Sequence, residues 1–325
     1  MNINAGRTLI RTEITIPEER RARMIARIRD FDWDGLPVVA GWGAGTESAA
    51  LRDLCSYWAD GFDIDAALAE LNGHEHHLAE AGGLTLHFVR HRPDGAEGAP
   101  IVLLHGWPGS FIDYLDVARQ LADPAGGSPR ETVIVSLPGF APSPAPDGPV
   151  GPPVIAAAVN ELMVKVLGHE RYLVHGADWG SVLAYQIAGD HPGNCAGIHM
   201  TMTSPRQFAA FVETDAEREW FQTMGANMQR DGAYFQLQSA SPQTIGLALS
   251  DTPVGYAGWL LERYANWTDT RPATGQDADR GRLFEVVSRD RMLMAMTLQW
   301  TAGGLRLALT PGELAGDDLK ELSGV

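Results

Sequence analysis

Residues 171–180 read Arg-Tyr-Leu-Val-His-Gly-Ala-Asp-Trp-Gly, and the helical stretch Ser181–Asp190 follows at once. Arg171–His175 has the short apolar run expected of a strand buried on both faces of a parallel sheet. Asp178 therefore stands at the apex of a strand-to-helix turn, with Gly176 two residues before it and Gly180 two after. A turn this sharp needs small residues at both flanks, because a larger side chain would clash. The apex side chain projects from the carboxyl end of the strand, beside a helix N-terminus whose amide dipoles favour negative charge. A carboxylate so placed is a nucleophile for alkyl carbon and gives an ester. A Ser at the apex would suit acyl transfer, but Ser181 falls three positions later, inside the helix. The plainer reading of the pentapeptide is a glycine-bounded turn with a helix-capping Asp.

Outward from the turn, strands and helices alternate. Leu84–Arg90, Pro100–His105, Thr132–Leu137 and Cys195–Met202 read as further strands. Phe111–Leu121 and Val154–Leu167 read as the helices between them, and Pro138–Pro153 as a loop. This order implies a doubly wound, mostly parallel α/β sheet with right-handed crossovers. Before it, Pro17–Asp30, Glu47–Trp58 and Ile64–Leu71 read as helices, and Gly41–Gly45 as a glycine-rich loop. After Ser204 the pattern turns helical and aromatic up to about Trp300, as in an inserted or appended cap.

The chain has 325 residues, 41 acidic against 25 basic, for a net charge of −16. An acidic surplus of this size repels phosphate, so nucleic acid and anionic membrane are excluded as partners. No run reaches the roughly 18 apolar residues of a membrane helix. Met1–Pro17 lacks a signal-peptide core, so a cytoplasmic location is expected. Cys55 and Cys195 cannot form a disulfide framework and read as buried thiols. His74, His76 and His77 lie in His-Glu-His-His-Leu, which lacks the His-Glu-x-x-His zinc spacing, so they read as a solvated loop with no metal. No cofactor is expected.

His105-Gly106-Trp107-Pro108-Gly109 follows directly on an apolar strand. A glycine-rich turn there can present the Trp107 N–H as one oxyanion donor, with the Trp179 N–H as the other. His105 then has a scaffold role. With these motifs the chain resembles the α/β-hydrolase superfamily and, within it, the microsomal-type epoxide hydrolases, including the juvenile-hormone type. Leu54–Trp58 (LCSYW), Phe62–Asn72 and Gly83–Arg92 (GLTLHFVRHR) resemble that family's N-terminal segment. His105–Ser110, Leu137–Phe140 (LPGF) and Gly176–Ser181 match its core loops. Gly232–Gln238 (GAYFQLQ), Pro242–Leu247 and Asp251–Trp267 match its cap.

The resemblance implies an α/β-hydrolase fold with a helical cap, dividing as 1–95 N-terminal segment, 96–203 core, 204–300 cap and 301–325 divergent tail. It implies a small-molecule epoxide and water as partners, with Asp178 opening the oxirane. Trp107 and Trp179 would form the oxyanion hole. Tyr234, in a stretch like the family's Gly-Tyr-x-x-x-Gln with Ala233 for the Gly, would donate to the epoxide oxygen. It also implies a catalytic His after the cap. Residues 200–325 contain no His, and the sequence after Gly304 no longer resembles the family. The sheet is therefore expected to lack its usual last strands, and the ester to form without an identified base for its hydrolysis. A haloalkane dehalogenase shares an Asp nucleophile followed by Trp, and a non-catalytic binding protein of the same fold is a further alternative. Oligomeric state stays open, with a homo-oligomer compatible.

Overall fold

The computed structural model describes residues 9–36, 39–202, 212–272 and 277–302. The described residues divide into two compact units: residues 9–12, 74–202 and 212–245, and residues 13–36, 39–73, 246–272 and 277–302. The division falls differently from the one expected by resemblance. The segment 1–95 is split, because its strands belong to the sheet and its helices to the other unit. The stretch 204–300 is split as well, at Ile245.

The first unit is built on a seven-stranded sheet. Its strands are β1 (Leu9–Thr12), β2 (His76–Ala81), β3 (Leu84–His91), β4 (Ile101–Leu104), β5 (Thr132–Val135), β6 (Tyr172–Gly176) and β7 (Cys195–Met200), in spatial order β1-β2-β3-β5-β4-β6-β7. β5, β4, β6 and β7 pair in parallel. β1, β2 and β3 add an antiparallel edge. β2 turns into β3 through Gly82 and Gly83 at φ 58° and 78°, the paired positive angles of a two-residue hairpin that glycine adopts without strain. Helices α4 (Leu115–Ala122), α5 (Pro152–Glu161) and α6 (Trp179–Asp190) supply the crossovers. A 3₁₀ turn, Phe111–Tyr114, precedes α4 where one continuous helix was expected. A π-wound turn, Leu162–Val166, follows α5. Val102, Leu104, Val133, Val135 and Val174 of the central strands pack with Ile155, Val159, Leu183 and Ile187 as a continuous core.

Two sequence expectations need correction here. His74, His76 and His77 are not a solvated loop. His76 opens β2 and is 1% exposed, bonded through Nδ1 to Nε2 of His87 at 2.9 Å. His74 pairs with His91 across the hairpin at 3.2 Å. Imidazoles can be buried in pairs because one ring donates while the other accepts. Cys195–Met202, expected as one strand, is a strand only over Cys195–Met200. β7 is exposed at half of its residues, Ile198 included, since among the described residues no strand lies beyond it. Residues after Ala302, with the expected tail, lie outside the described residues.

The second unit is helical. It holds α1 (Glu18–Arg29), α2 (Ser48–Asp60) and α3 (Ile64–Asn72) with the later α10 (Pro253–Trp267), α11 (Leu283–Val286) and α12 (Arg289–Thr301). Acids open α1 and arginines close it, as the helix dipole favours. Asn72 closes α3 by exchanging hydrogen bonds with Ile14: Ile14 N–H donates to its Oδ1 at 2.8 Å, and its Nδ2 donates back at 3.0 Å. Trp58 of α2 is fully buried and donates from Nε1 to Thr297 Oγ1 of α12 at 2.8 Å. The first unit also carries α7 (Asp215–Asp231) and α8 (Ala233–Ala240), and α9 (Pro242–Asp251) runs across the division. Among the described residues no helix is long and apolar enough to cross a membrane. Trp58→Phe is expected to lower the unfolding free energy by about 2 kcal/mol, combining a lost buried hydrogen bond with a small cavity; urea denaturation measures it.

Candidate active site

The parallel pairing of β4 and β6 sets Leu104 opposite Gly176. The loops that leave these strands therefore emerge side by side at the carboxyl edge of the sheet. One carries His105–Gly109, the other Ala177–Gly180. Ala177 N–H donates to the Leu104 carbonyl at 3.2 Å, so the pairing runs one residue past the strand end.

The turn itself is as tight as its glycines suggest. A Cβ on Gly176 would land on the backbone of Gly180, and one on Gly180 would land on the Leu104 carbonyl. Ser181 ties the turn from below, its Oγ donating to the Gly176 carbonyl at 2.8 Å. Asp178 has φ 53° and ψ −121° and is the one described non-glycine residue with positive φ. For an L residue this is strained, by about 1–3 kcal/mol. Its side chain forms no helix-capping bond, against the plainer reading of the pentapeptide.

The Asp178 carboxylate turns instead to the neighbouring loop, where Trp107 N–H donates to Oδ1 at 2.8 Å. Gly106 makes the approach feasible, since a Cβ there would collide with the Asp178 side chain. Asp178 keeps part of its surface accessible, yet its carboxyl is packed about by protein. Burial pushes its pKa up to about 6, while the N–H groups of Trp179 and Trp107 pull the other way by favouring the anion. At neutral pH the group is mostly ionised, accessible and poorly hydrated.

Tyr234 of α8 lies against the same loop. Its ring stacks on that of Trp107 with centroids 5.2 Å apart and planes 12° from parallel. The four residues singled out in sequence are thus brought together, with Trp107 as the common neighbour of Asp178 and Tyr234. Three features escaped sequence reading. Gly106 carries the close approach to the carboxylate. Tyr114 donates its hydroxyl to the Leu104 carbonyl at 3.2 Å, beneath the loop. The Leu137 N–H donates to His105 Nε2 at 3.1 Å, fastening the Leu-Pro-Gly-Phe loop to the His-Gly-Trp loop. Only the first had a signal, a glycine inside a motif already suspected. No imidazole bonds to Asp178 among the described residues. Among them, no three His, Cys, Asp or Glu side chains converge as a metal cradle.

This arrangement has counterparts among known proteins. The family profile described as epoxide hydrolase N terminus matches residues 10–114, and that described as alpha/beta hydrolase fold matches residues 99–244. The chain has the α/β-hydrolase fold and is similar in sequence and structure to epoxide hydrolases. A curated relative from Stigmatella aurantiaca (strain DW4/3-1) is 32% identical over 299 residues, covering 89% of this chain and 65% of that protein. The Aspergillus niger epoxide hydrolase structure superposes with a TM-score of 0.80 at 26% identity, covering 97% of this chain and 81% of that one. The juvenile hormone epoxide hydrolase of the silkworm Bombyx mori gives 0.77 at 26% identity, covering 94% and 76%. The chain spans less than two thirds of the length of the first curated relatives it matches, 65% and 62%. The α/β-hydrolase match, residues 99–244, ends one residue short of the close of the sheet unit at Ile245.

Two outcomes follow from the geometry. Gly180→Ala is expected to destabilise by about 3 kcal/mol or more, since a backbone carbonyl cannot yield to the new methyl; thermal unfolding reads it. A carboxyl whose folded pKa lies above its unfolded one stabilises below the unfolded value and loses that contribution as pH rises through the folded one. From the ordinary aspartate value of 3.8 to about 6, the loss amounts to about 3 kcal/mol. Asp178→Asn is therefore expected to gain in stability on the parent as pH rises from 4 to 7, and urea midpoints across that range test it.

Proposed function

We propose that this chain opens epoxides by nucleophilic attack of Asp178, forming an alkyl-enzyme ester. The observation that carries the reading is the Asp178 carboxylate, held at a strained apex with Oδ1 on the Trp107 N–H at 2.8 Å. An oxygen so held stays in place while the other is free to attack an oxirane carbon. The new C–O bond forms as the ring C–O bond breaks, and the leaving oxygen needs a proton. The Tyr234 phenol supplies it and is restored from water. The held oxygen becomes the ester carbonyl oxygen. Trp107 and Trp179 N–H groups then face the charge that develops when water adds to that carbonyl and the diol departs.

Similarity to epoxide hydrolases supports this chemistry, and so does the common placement of Asp178, Trp107 and Tyr234. Water activation for the last step normally needs a base. Among the described residues no imidazole hydrogen-bonds to the Asp178 carboxylate. Attack by Asp178 is expected to leave the ester on its own carboxyl group.

Incubation with styrene oxide, followed by intact-mass spectrometry and peptide mapping, is expected to show one adduct, on Asp178. The rate of its appearance is expected to rise with pH through about 6 as Asp178 ionises. Tyr234→Phe is expected to slow it by about 100-fold, the scale of a lost general acid. Diol released over many turnovers would reveal a base elsewhere. No adduct from the epoxide together with halide release from a haloalkane would replace the reading by a dehalogenase.

A further inference from the structure

His105 is buried at the end of β4, its ring edge-on to Phe140 with centroids 4.9 Å apart. Its two nitrogens face unlike partners. Leu137 N–H points at Nε2 from 3.1 Å, and a backbone N–H only donates, so Nε2 offers its lone pair. A neutral imidazole carries one N–H, which then sits on Nδ1. Nδ1 lies 3.1 Å from the Gly106 carbonyl oxygen, which only accepts. Burial pushes the ring down to about 4, so it stays neutral in this form around neutral pH.

The Gly106 carbonyl and the Trp107 N–H belong to one peptide group. That N–H is the donor to Asp178 Oδ1. A peptide whose carbonyl accepts a hydrogen bond polarises across its partial double bond and becomes a better donor. The same position carries a steric conflict. Residue 106 must be glycine, because a Cβ would strike Asp178. Glycine leaves the peptide the widest choice of φ and ψ, so something other than its own side chain has to aim the Trp107 N–H.

We propose that His105 is a positioning residue: its Nδ1–H clamps and polarises the Gly106–Trp107 peptide, keeping the Trp107 N–H aimed at Asp178 and later at the ester carbonyl. The Leu137 N–H fixes the ring from behind and so selects the tautomer that can do this. The role rests on the proposed reaction for its purpose, while the hydrogen-bond chain itself can be tested without substrate.

Two substitutions separate the nitrogens. His105→Asn keeps a donor near the Nδ1 position; His105→Gln keeps a polar group near Nε2 and loses the clamp. The readout is the ionisation of Asp178, followed by ¹³C NMR of aspartate-labelled protein and assigned with Asp178→Asn. Loosening the Trp107 N–H removes a group that favours the anion, so in His105→Gln the Asp178 titration is expected to move up by about one unit. Styrene oxide alkylation at pH 6 is expected to fall by about 5- to 10-fold and to recover at pH 8, while His105→Asn stays near the parent in both. An unmoved titration in His105→Gln, or equal shifts in both variants, would leave the ring a packing element and overturn the proposal. Should either variant fail to fold, ¹⁵N NMR of the parent decides it: the Nδ1–H tautomer at His105 is expected, and the Nε2–H tautomer would sink the idea. Failure of the parent to react with styrene oxide would count against the proposed reaction alone, because the titration and the tautomer are read without it.

Discussion

The contact between Gly180 and the Leu104 carbonyl governs the site. It lets the first turn of α6 press against the end of β4, and so brings two loops from neighbouring strands to within one hydrogen bond of each other. Parallel pairing alone would put the strand ends level, but with ordinary side chains at 176 and 180 the helix would stand off. The turn would relax, and Asp178 would leave its positive φ. The strain at that residue, about 1–3 kcal/mol, persists because the chain on both sides is anchored. β6 is fixed by its partners, and α6 buries Leu183, Ala184 and Ile187 in the core.

The same close approach sets the electrostatics. A carboxylate in a desolvated position is costly, and burial alone would push Asp178 toward the neutral acid, which is no nucleophile. Two backbone N–H groups limit that rise to about 6. An anion stripped of water but held by fixed dipoles is ionised at neutral pH and still reactive, whereas a fully hydrated one would have to shed its shell at each attack. The N–H groups that hold the resting anion lie where the oxyanion of ester hydrolysis would appear. One arrangement serves both ends of the proposed reaction.

The elbow was legible in the sequence because its requirement is steric, and steric requirements leave glycines at fixed spacing. The parallel strands were legible because strands covered on both faces read as unbroken apolar runs. β2 was not. Its His-His-Leu-Ala-Glu-Ala sequence looks polar, and the burial of its first residue, His76, depends on a cross-strand partner, His87, that no local pattern names. Asp178, Trp107, Trp179 and Tyr234 were found by motif, yet the ring stacking of Trp107 on Tyr234 joins residues 127 positions apart in the chain and had no local signal. The split of the N-terminal segment was hidden for a related reason. Residues that match one family profile contribute helices to one unit and strands to the other.

His105 shows how a scaffold residue and a functional one come to be the same side chain. The motif position demands a residue that packs against Phe140 and bonds the Leu-Pro-Gly-Phe loop, and many polar groups could accept one hydrogen bond from Leu137. Few could also return a donor to the next carbonyl along its own chain. Imidazole has its two nitrogens about 2.2 Å apart on a rigid ring, so fixing one fixes the other. Where glycine is obligatory for close approach, the aim of the neighbouring amide has to come from outside the glycine. A ring anchored on a second loop supplies it with no rotatable bond between its two contacts.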